Sequence, residues 1–280
     1  MSEIPVFEGT FRHPHAEVLG VDISAIDMDR AIDLAERWIA TGKGAYICMT
    51  GVHGVMEAQS NEELRHILNS ALINAPDGMP LSWVGWLQGH RQMDRVYGPD
   101  FMTNLCRRSI LKGYRHYLYG GQPGVVRTLK NILEKRFPGL NIVGTCTPPF
   151  THLTQEEEET LLRDIGNAKP DILWVGLSTP KQERFMAEYI SRLQVPLLVG
   201  VGAAFDFHTG RIQEAPRWIK RAGLQWLHRL LQDPGRLWKR YLRNNPVFIW
   251  RIMLQLLKPR SWECQRGGDP SEATSSTTNS

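Results

Sequence analysis

Short apolar runs alternate with longer segments of helical periodicity along most of the chain. Six runs are predicted to be strands, because most are short and continuously apolar, as strands buried on both faces are. These runs are 17–22, 45–50, 115–120, 141–145, 172–177 and 196–202. The predicted helices between them are 27–41, 61–69, 103–112, 124–137, 155–167 and 180–193. This alternation predicts an α/β fold: a Rossmann-like, mostly parallel sheet with helices on both faces.

The pattern changes near Arg211, where basic and apolar residues begin to interleave. Their spacing allows helices that are apolar on one side and basic on the other. Pro234 and Pro246 are expected to break this region into short helices. A final segment rich in Ser, Thr and Gly is expected to be disordered. The predicted divisions are an α/β domain over 1–210, a basic amphipathic helical appendage over 211–260 and a disordered tail over 261–280.

Length and composition are consistent with one large domain and an appendage, since 280 residues supply ample apolar material for a core. The four cysteines are scattered, without a Cys-x-x-Cys pair or a zinc-site spacing, so neither a disulfide framework nor a metal finger is predicted. The acidic N-terminus lacks a signal-peptide core, and no apolar run reaches the ~20 residues of a transmembrane helix. We therefore expect a cytoplasmic protein that is soluble or peripheral to a membrane.

Asp77 is the strongest candidate for chemistry. It lies in the run 73–80, where Pro76 and Gly78 form a turn that directs its side chain out of regular structure. A carboxylate partly withdrawn from water at the rim of a pocket is a competent general base. The alternative is structural, with Asp77 closing the turn or capping a helix over 81–87.

Glycine-rich or polar turns follow three of the predicted strands. Gly120 and Gly121 allow backbone N–H groups to approach a phosphate, although they fit neither a dinucleotide fingerprint nor a P-loop, and a plain tight turn is the alternative. Gln182 could donate to a sugar hydroxyl or a phosphate oxygen, or belong to a solvated helix start. Asp206, between two phenylalanines, needs a partner: a pyrimidine N–H, a ribose hydroxyl or a nearby arginine. Ligands in open α/β sheets bind at these carboxyl ends.

Two further polar groups lie elsewhere along the predicted domain. Thr50 ends a strand and His53 follows it. The histidine is assigned to the substrate site; the alternative is a structural histidine with satisfied hydrogen bonds, which is favoured over a metal ligand. Arg95 precedes a Gly-Pro turn and could bind a phosphate through two parallel hydrogen bonds. A structural salt bridge from Arg95 to Asp94 or Asp100 is the alternative.

In this order, the motifs resemble those of the WecG/TagA/CpsF family of bacterial glycosyltransferases. The likeness extends over roughly residues 30–250, and the series in register is highly specific. The motifs are TGVH at 50–53, PDGMP at 76–80, RVYGPD at 95–100, YGGQPG at 119–124, VGLSTPKQE at 175–183, VGAAFDF at 201–207, APRW at 215–218 and GLQWLHRL at 223–230.

The resemblance implies roles for five residues of the predicted α/β domain. The base proposed for the family matches Asp77. Its donor-site threonine, glutamine and late aspartate match Thr50, Gln182 and Asp206. Its phosphate-binding arginine, upstream of the double glycine, matches Arg95.

The resemblance also covers the basic appendage, which in the family carries arginines and helps to bring the enzyme to the membrane. Arg229 and Arg236 match two of those arginines, and Lys239 replaces a third. Val52 is a departure, because some members have asparagine at that place, so the fine details of sugar recognition in the family are not carried over to this chain.

The activity implied is transfer of a sugar from a nucleoside diphosphate donor, usually UDP-linked, to a polyprenyl-diphosphate-linked sugar on the inner membrane face. Direct attack on the anomeric carbon would invert its configuration. None of the strand-end motifs contains an Asp-x-Asp metal site, so we expect turnover without a metal or other cofactor. We expect the basic, Trp-rich appendage to bind anionic lipid surfaces rather than nucleic acid, although both favour such patches. Because the appendage is so apolar, another copy of the chain in a homo-oligomer is the alternative that would cover it.

Two competing functions remain open at the level of sequence. A nucleotide-sugar-binding module without turnover would have the same motifs with a structural Asp77. A nicotinamide oxidoreductase is disfavoured, because the dinucleotide fingerprint is missing.

Overall fold

The computed structural model describes residues 11–149 and 153–257, and it confirms the predicted α/β class. Two short strands, β1 (His15–Val18) and β2 (Val21–Ser24), form an antiparallel hairpin. The other six strands are β3 (Ala45–Thr50), β4 (Ile73–Pro76), β5 (Arg115–Gly120), β6 (Asn141–Cys146), β7 (Ile172–Gly176) and β8 (Leu197–Gly200). They form one sheet in the order β4-β3-β8-β7-β5-β6, and every pairing is parallel.

Helices connect the parallel strands and continue beyond the last one. They are α1 (Met28–Ile39), α2 (Val52–Ala58), α3 (Glu62–Asn69), α4 (Met79–Leu87), α5 (Gly98–Lys112), α6 (Val125–Arg136), α7 (Gln155–Ala168), α8 (Lys181–Leu193), α9 (Ala204–His208), α10 (Arg217–Arg221), α11 (Gln225–Gln232) and α12 (Pro234–Leu257). Several begin with a sequence-encoded cap: Asp27 accepts the N–H of Arg30, and Asn61 accepts that of Leu64. Among the described helices, none is long and apolar enough to cross a membrane.

The sheet separates two hydrophobic clusters, as expected for strands buried on both faces. On one face, α1, α5, α6 and α9 cover side chains such as Ile47 and Trp174. On the other, the β1–β2 hairpin and helices including α3, α8 and α12 cover side chains such as Tyr46 and Cys48. The alternation of Tyr46, Ile47 and Cys48 along β3 assigns each face its own set of helices.

Three local predictions need correction. The run 17–22 is a hairpin and not one strand, because the chain turns at Leu19 and Gly20, both with positive φ. Strand β4 was not predicted; it is a four-residue edge strand that ends in Pro76, where proline is tolerated. Helix α5 begins at Gly98 instead of residue 103, since proline fits the first helical turn.

The expected break at Pro246 is wrong, because α12 continues through this residue. An interior proline removes one backbone hydrogen bond and crowds the preceding turn. Tertiary contacts hold the following half of the helix: Phe248 and Ile252 are buried in the core, and Gln255 accepts the N–H of Leu19 at 2.9 Å. The break expected at Pro234 is confirmed, since α11 ends at Gln232 and α12 starts at the proline.

The connections define a topological switch point between β5 and β7. The chain leaves β5 through α6 on one face and leaves β7 through α8 on the other. Such a point opens a crevice at the carboxyl ends of the strands, where ligands of open α/β sheets bind. The division into a domain over 1–210 and an appendage over 211–260 stays a prediction, and the predicted tail over 261–280 lies outside the described residues.

Candidate active site

A cavity of about 1510 Å³ lies at the carboxyl ends of the parallel strands. One wall consists of the strand ends, with Asp77, Gly121 and Gly176. Helices α4 and α8 form its sides, and α11 and α12 close it from above with residues such as Arg229 and Phe248. The basic and apolar region that begins near Arg211 therefore lines the cavity opposite the strand ends.

Asp77 occupies the first position after β4 and is fixed from three directions. Its backbone N–H donates to Thr50 O at 2.9 Å, which ties it to the end of β3. Its Oδ1 accepts the backbone N–H of Gly98 at 3.1 Å, at the start of α5. Its carbonyl accepts Arg95 Nε at 3.1 Å. Helix α4 has Gly78 as its N-cap residue, so the capping role considered for Asp77 is not observed.

The electrostatic surroundings of Asp77 leave it poised between its two protonation states. Withdrawal from solvent raises the pKa of Asp77 to about 6, the dominant effect, while Arg95, the Gly98 N–H and Arg229 oppose it. At neutral pH the carboxylate is mostly ionised, yet it binds a proton far more strongly than an exposed aspartate. These are the properties of a general base near physiological pH.

Arg95 belongs to a cluster that joins the turn before α5 to helix α11. Its guanidinium lies 4.0 Å from the ring centre of Tyr97, and its Nη2 donates to Gln225 Oε1. Gln225 Nε2 in turn donates to the Tyr97 hydroxyl at 2.8 Å. Burial raises the pKa of Tyr97, so this hydroxyl stays protonated. Asp94 accepts the backbone N–H of Arg95, whereas the guanidinium makes the contacts with Asp77 and Gln225.

Gly120 and Gly121 lie at the switch point, and both have positive φ. Gly121 N donates to Gly176 O at 2.9 Å, and a Cβ atom on Gly120 would lie 2.6 Å from the same oxygen. Only glycine allows the two strand ends to approach so closely. Of the pair, Gly121 lines the cavity, beside the turn that leads to α6.

Thr50 and Gln182 lie on the same face of the sheet. Thr50 continues the alternation of Tyr46 and Cys48, and Cys48 packs in the cluster that contains Met186 of α8. Both side chains are buried, and neither Thr50 Oγ1 nor Gln182 Oε1 has a hydrogen-bond partner among the described residues. Gln182 lines the cavity; Thr50 is not part of the lining, although its neighbours Met49 and Gly51 are.

Asp206 lines the cavity from α9 and has an arginine as its partner, one of the three possibilities considered for it. Arg211 Nε lies 3.5 Å from its Oδ1. The same guanidinium donates from Nη2 to Gln122 Oε1 at 2.7 Å, next to the double glycine. A cationic bridge therefore connects α9 with the switch point.

Of the remaining predicted site residues, two line the cavity, one lies outside its lining, and one has a side chain outside the described part of the structure. Arg229 lines the cavity, 5.5 Å above the ring of Phe207, and His53 lines it beside Asn244, whose Nδ2 lies 3.3 Å from His53 Nδ1. Lys239 is exposed on α12 and is not part of the cavity lining. Arg236 belongs to the same helix, but its side chain lies outside the described part of the structure.

This set of motifs on this fold also marks a known family. The profile of the glycosyl transferase WecG/TagA/CpsF family matches residues 16–262, nearly the whole chain. This chain belongs to that family. It is therefore a glycosyltransferase, and the cavity at the sheet edge is its candidate active site.

Two proteins from Bacillus are similar in sequence to this chain. The chain is 29% identical over 220 residues to the N-acetylglucosaminyldiphosphoundecaprenol N-acetyl-beta-D-mannosaminyltransferase of Bacillus spizizenii strain W23, covering 79% of this chain and 83% of that protein. It is 27% identical over 209 residues to the protein of the same name from Bacillus subtilis strain 168, covering 75% and 79%.

Sequence reasoning missed several residues of this glycosyltransferase site. Gln225 contacts both Arg95 and Tyr97, and Lys220 lies 5.1 Å from the Tyr97 ring centre. Glu183 is buried beside Gln182. The adjacency of Glu183 to Gln182 in a glycine-bearing motif was a usable signal; nothing in the sequence indicated that α11 would contact the loop containing Arg95.

Proposed function

We propose that this glycosyltransferase transfers a sugar from a UDP-sugar to a polyprenyl-diphosphate-linked sugar, in the biosynthesis of a bacterial cell-surface polysaccharide. The observation that carries the proposal is Asp77, a carboxyl group of raised pKa in a large cavity, facing cationic groups. The printed names of the two Bacillus relatives supply the acceptor class: an N-acetylglucosaminyl group on diphosphoundecaprenol.

Asp77 acts as the general base. Its carboxylate accepts the proton of the acceptor hydroxyl while that oxygen attacks the anomeric carbon of the donor. The bond between the anomeric carbon and the diphosphate oxygen breaks as the new glycosidic bond forms. Since attack and departure occur on opposite sides of one carbon, the configuration is inverted.

The leaving diphosphate requires positive charge and N–H donors as it gains negative charge. Arg95 and Arg229 lie around Asp77 on one side, and Gly121 offers backbone at the switch point, next to the start of α6. Helix N-termini and exposed backbone N–H groups stabilise phosphate oxygens. The proposal is therefore metal-independent turnover, with these groups in the place of a divalent cation.

Donor recognition is assigned to the face formed by Thr50, Gln182 and Asp206. The unpartnered oxygens of Thr50 and Gln182 and the Asp206–Arg211 pair supply hydrogen-bonding groups for a nucleotide sugar. His53 is assigned to the acceptor side, because it faces Asn244 of α12.

The acceptor reaches the cavity from the membrane, to which α12 and α4 attach the enzyme on its cytoplasmic face. Between Pro234 and Leu257, α12 contains basic residues and no acidic one, so it complements anionic lipid headgroups, at about 1 kcal/mol for each basic residue near the surface. Exposed apolar side chains on both helices suit the interfacial region. They are Trp83, Trp86 and Leu87 on α4 and Trp238, Leu242, Val247, Ile249, Trp250, Met253, Leu254, Leu256 and Leu257 on α12. Lys239 and Arg236 are assigned to phosphate and headgroup binding.

The two helices form one side of the molecule. Glu17 O accepts Gln88 Nε2, directly after α4, at 2.6 Å and Gln255 Nε2 of α12 at 2.8 Å. Leu87 and Leu256 both line the cavity. The apolar surface therefore continues into the cavity lining, and a lipid-linked sugar would enter there without leaving the bilayer.

The test is transfer itself. Vesicles containing GlcNAc-diphosphate-undecaprenol are incubated with the full chain and a panel of UDP-sugars, with and without EDTA, and the product linkage is determined by NMR. We expect one UDP-sugar to yield a glycolipid of inverted anomeric configuration at an EDTA-independent rate. A retained configuration would contradict direct displacement, rescue of an EDTA-inhibited reaction by Mn²⁺ would contradict metal independence, and binding of UDP-sugars without any transfer would favour the binding-module alternative.

A further inference from the structure

A buried carboxyl group beside Gln182 has no role in the steps above. Glu183 is 1% exposed, and its Oε1 accepts hydrogen bonds from Gln182 Nε2 at 3.0 Å and Thr179 Oγ1 at 2.9 Å. Burying such a group is costly unless its partners compensate. Two donors converge on one oxygen of Glu183, which fixes both neighbouring side chains.

The amide of Gln182 has its two ends in different surroundings. Nε2 faces Glu183 and the end of β8, where a Cβ atom on Gly200 would lie 3.2 Å from it. Oε1 faces Gly202, a residue of the cavity lining, whose Cβ atom would lie 3.5 Å away. Since Oε1 is buried and has no hydrogen-bond partner among the described residues, it is an acceptor available to a ligand.

The opposite orientation of the amide is disfavoured. It would bring two acceptor oxygens together, Oε1 of Gln182 and Oε1 of Glu183. Burial raises the pKa of Glu183, so the orientation of the Gln182 amide must also be considered with Glu183 protonated. In that form the proton belongs on Oε2, because Oε1 already accepts from two donors. Glu183 therefore orients Gln182 in both protonation states.

We propose that Glu183 is a positioning residue that holds the Gln182 carbonyl towards the cavity, where it selects ligands with an N–H or O–H donor at that point. The proposal rests on the nucleotide-sugar function above and adds a hydrogen-bond polarity to its donor site. In a uridine nucleotide, both the imide N–H of the base and the hydroxyls of the sugar are such donors. A ligand without the donor leaves a buried carbonyl unpaired, which weakens binding.

Calorimetry on the full chain with UDP, CDP and 2′-deoxy-UDP tests this and identifies the donor. CDP has an acceptor where UDP has the imide N–H, and 2′-deoxy-UDP lacks one ribose hydroxyl. We expect UDP to bind about tenfold more tightly than one of the two analogues. Glu183→Gln offers Gln182 either an N–H or an oxygen, so the amide is no longer oriented. In that variant and in Gln182→Ala, the affinity for UDP should be within about twofold of the affinity for the analogue.

The double variant separates positioning from a merely structural role. Because Glu183 acts through Gln182, Glu183→Gln should not change the preference further in a Gln182→Ala background. Thr179→Val is a milder change and should reduce the preference for UDP over the analogue about threefold. If Glu183→Gln does not fold, Thr179→Val provides the test in its place. Glu134→Gln on the exposed surface of α6 makes the same chemical change as a control and should retain the full preference.

The inference is overturned if Glu183→Gln and Thr179→Val retain the wild-type preference, or if the two effects add in the double variant. A wild-type chain that binds UDP without preference over either analogue also overturns it. Failure of the wild-type chain to bind any of the three nucleotides is a different result, because it removes the proposed UDP donor itself and the inference with it.

Discussion

At the scale of single residues, the site depends on a balance around one carboxyl group. Withdrawal of Asp77 from solvent favours its protonated form, while Arg95, Arg229 and the Gly98 N–H favour the ionised form. The first effect is larger but does not eliminate the charge at pH 7. A fully paired aspartate would be too weak a base, and an uncompensated buried one would remain protonated. In the proposed mechanism, the arginines would therefore act on both the base and the leaving diphosphate.

This balance predicts that the folded protein becomes more stable at neutral pH when Asp77 is replaced by a residue that cannot ionise. Because the folded pKa is about 6 and the ordinary value is about 4, the folded protein binds the proton more tightly. The free energy of unfolding therefore falls as pH rises from about 4 to about 6. Asp77→Asn cannot ionise and retains an acceptor for the Gly98 N–H. Its melting temperature should exceed that of the wild type at pH 7 and equal it at pH 4; a lower value at pH 7 would show that the carboxylate stabilises the fold.

At the scale of elements, α12 forms a long part of the cavity wall, from Leu237 to Leu256. Phe248 and Ile252 anchor it to the core, and Gln255 attaches it to the β1–β2 hairpin. The opposite side of the helix exposes apolar and basic residues, Lys239 among them. One helix thus lines the cavity and contributes to the proposed membrane-facing surface.

Helix α4 should contribute to membrane attachment, although it precedes the basic region. Leu87 is 70% exposed at the cavity entrance, and Leu111 is 92% exposed at the end of α5, near the opposite edge of the sheet. Leu87→Glu loses apolar contact and adds repulsion from anionic lipid, so flotation with anionic vesicles should fall about tenfold. Leu111→Glu makes the same change elsewhere and should float like the wild type. Equal flotation of both variants would remove α4 from the docking surface.

At the scale of the whole molecule, the active site is complete only where distant parts of the chain meet. Gln225 contacts Arg95, Asn244 contacts His53, and Arg211 contacts Asp206. Each contact joins a residue after position 210 to the edge of the sheet. The basic region therefore lines the candidate catalytic cavity and also forms the proposed attachment to lipid.

The sequence predicted most of the parallel sheet because buried strands and amphipathic helices have different periods. It missed β4, since Asn74 interrupts an apolar run that ends in proline. It placed a break at Pro246 because local propensity does not include the burial of Phe248 and Ile252. It placed Asp77 at a turn that local sequence encodes, and the structure places that residue in the cavity lining; its role as the base stays a prediction. It could not foresee the contact of Arg95 with Gln225, because 130 residues separate them and only the fold brings them together.

The central claim, that Asp77 is the base of a sugar transfer, is tested most directly by the rate of transfer in Asp77→Asn. With the UDP-sugar that the wild type uses, we expect kcat to fall by about 10²–10⁴ while UDP still binds. The wild-type kcat/KM should fall about tenfold per pH unit below about pH 6, as the carboxylate of Asp77 is protonated. An Asn variant that transfers within a few-fold of the wild type, with the same pH profile, would contradict the account.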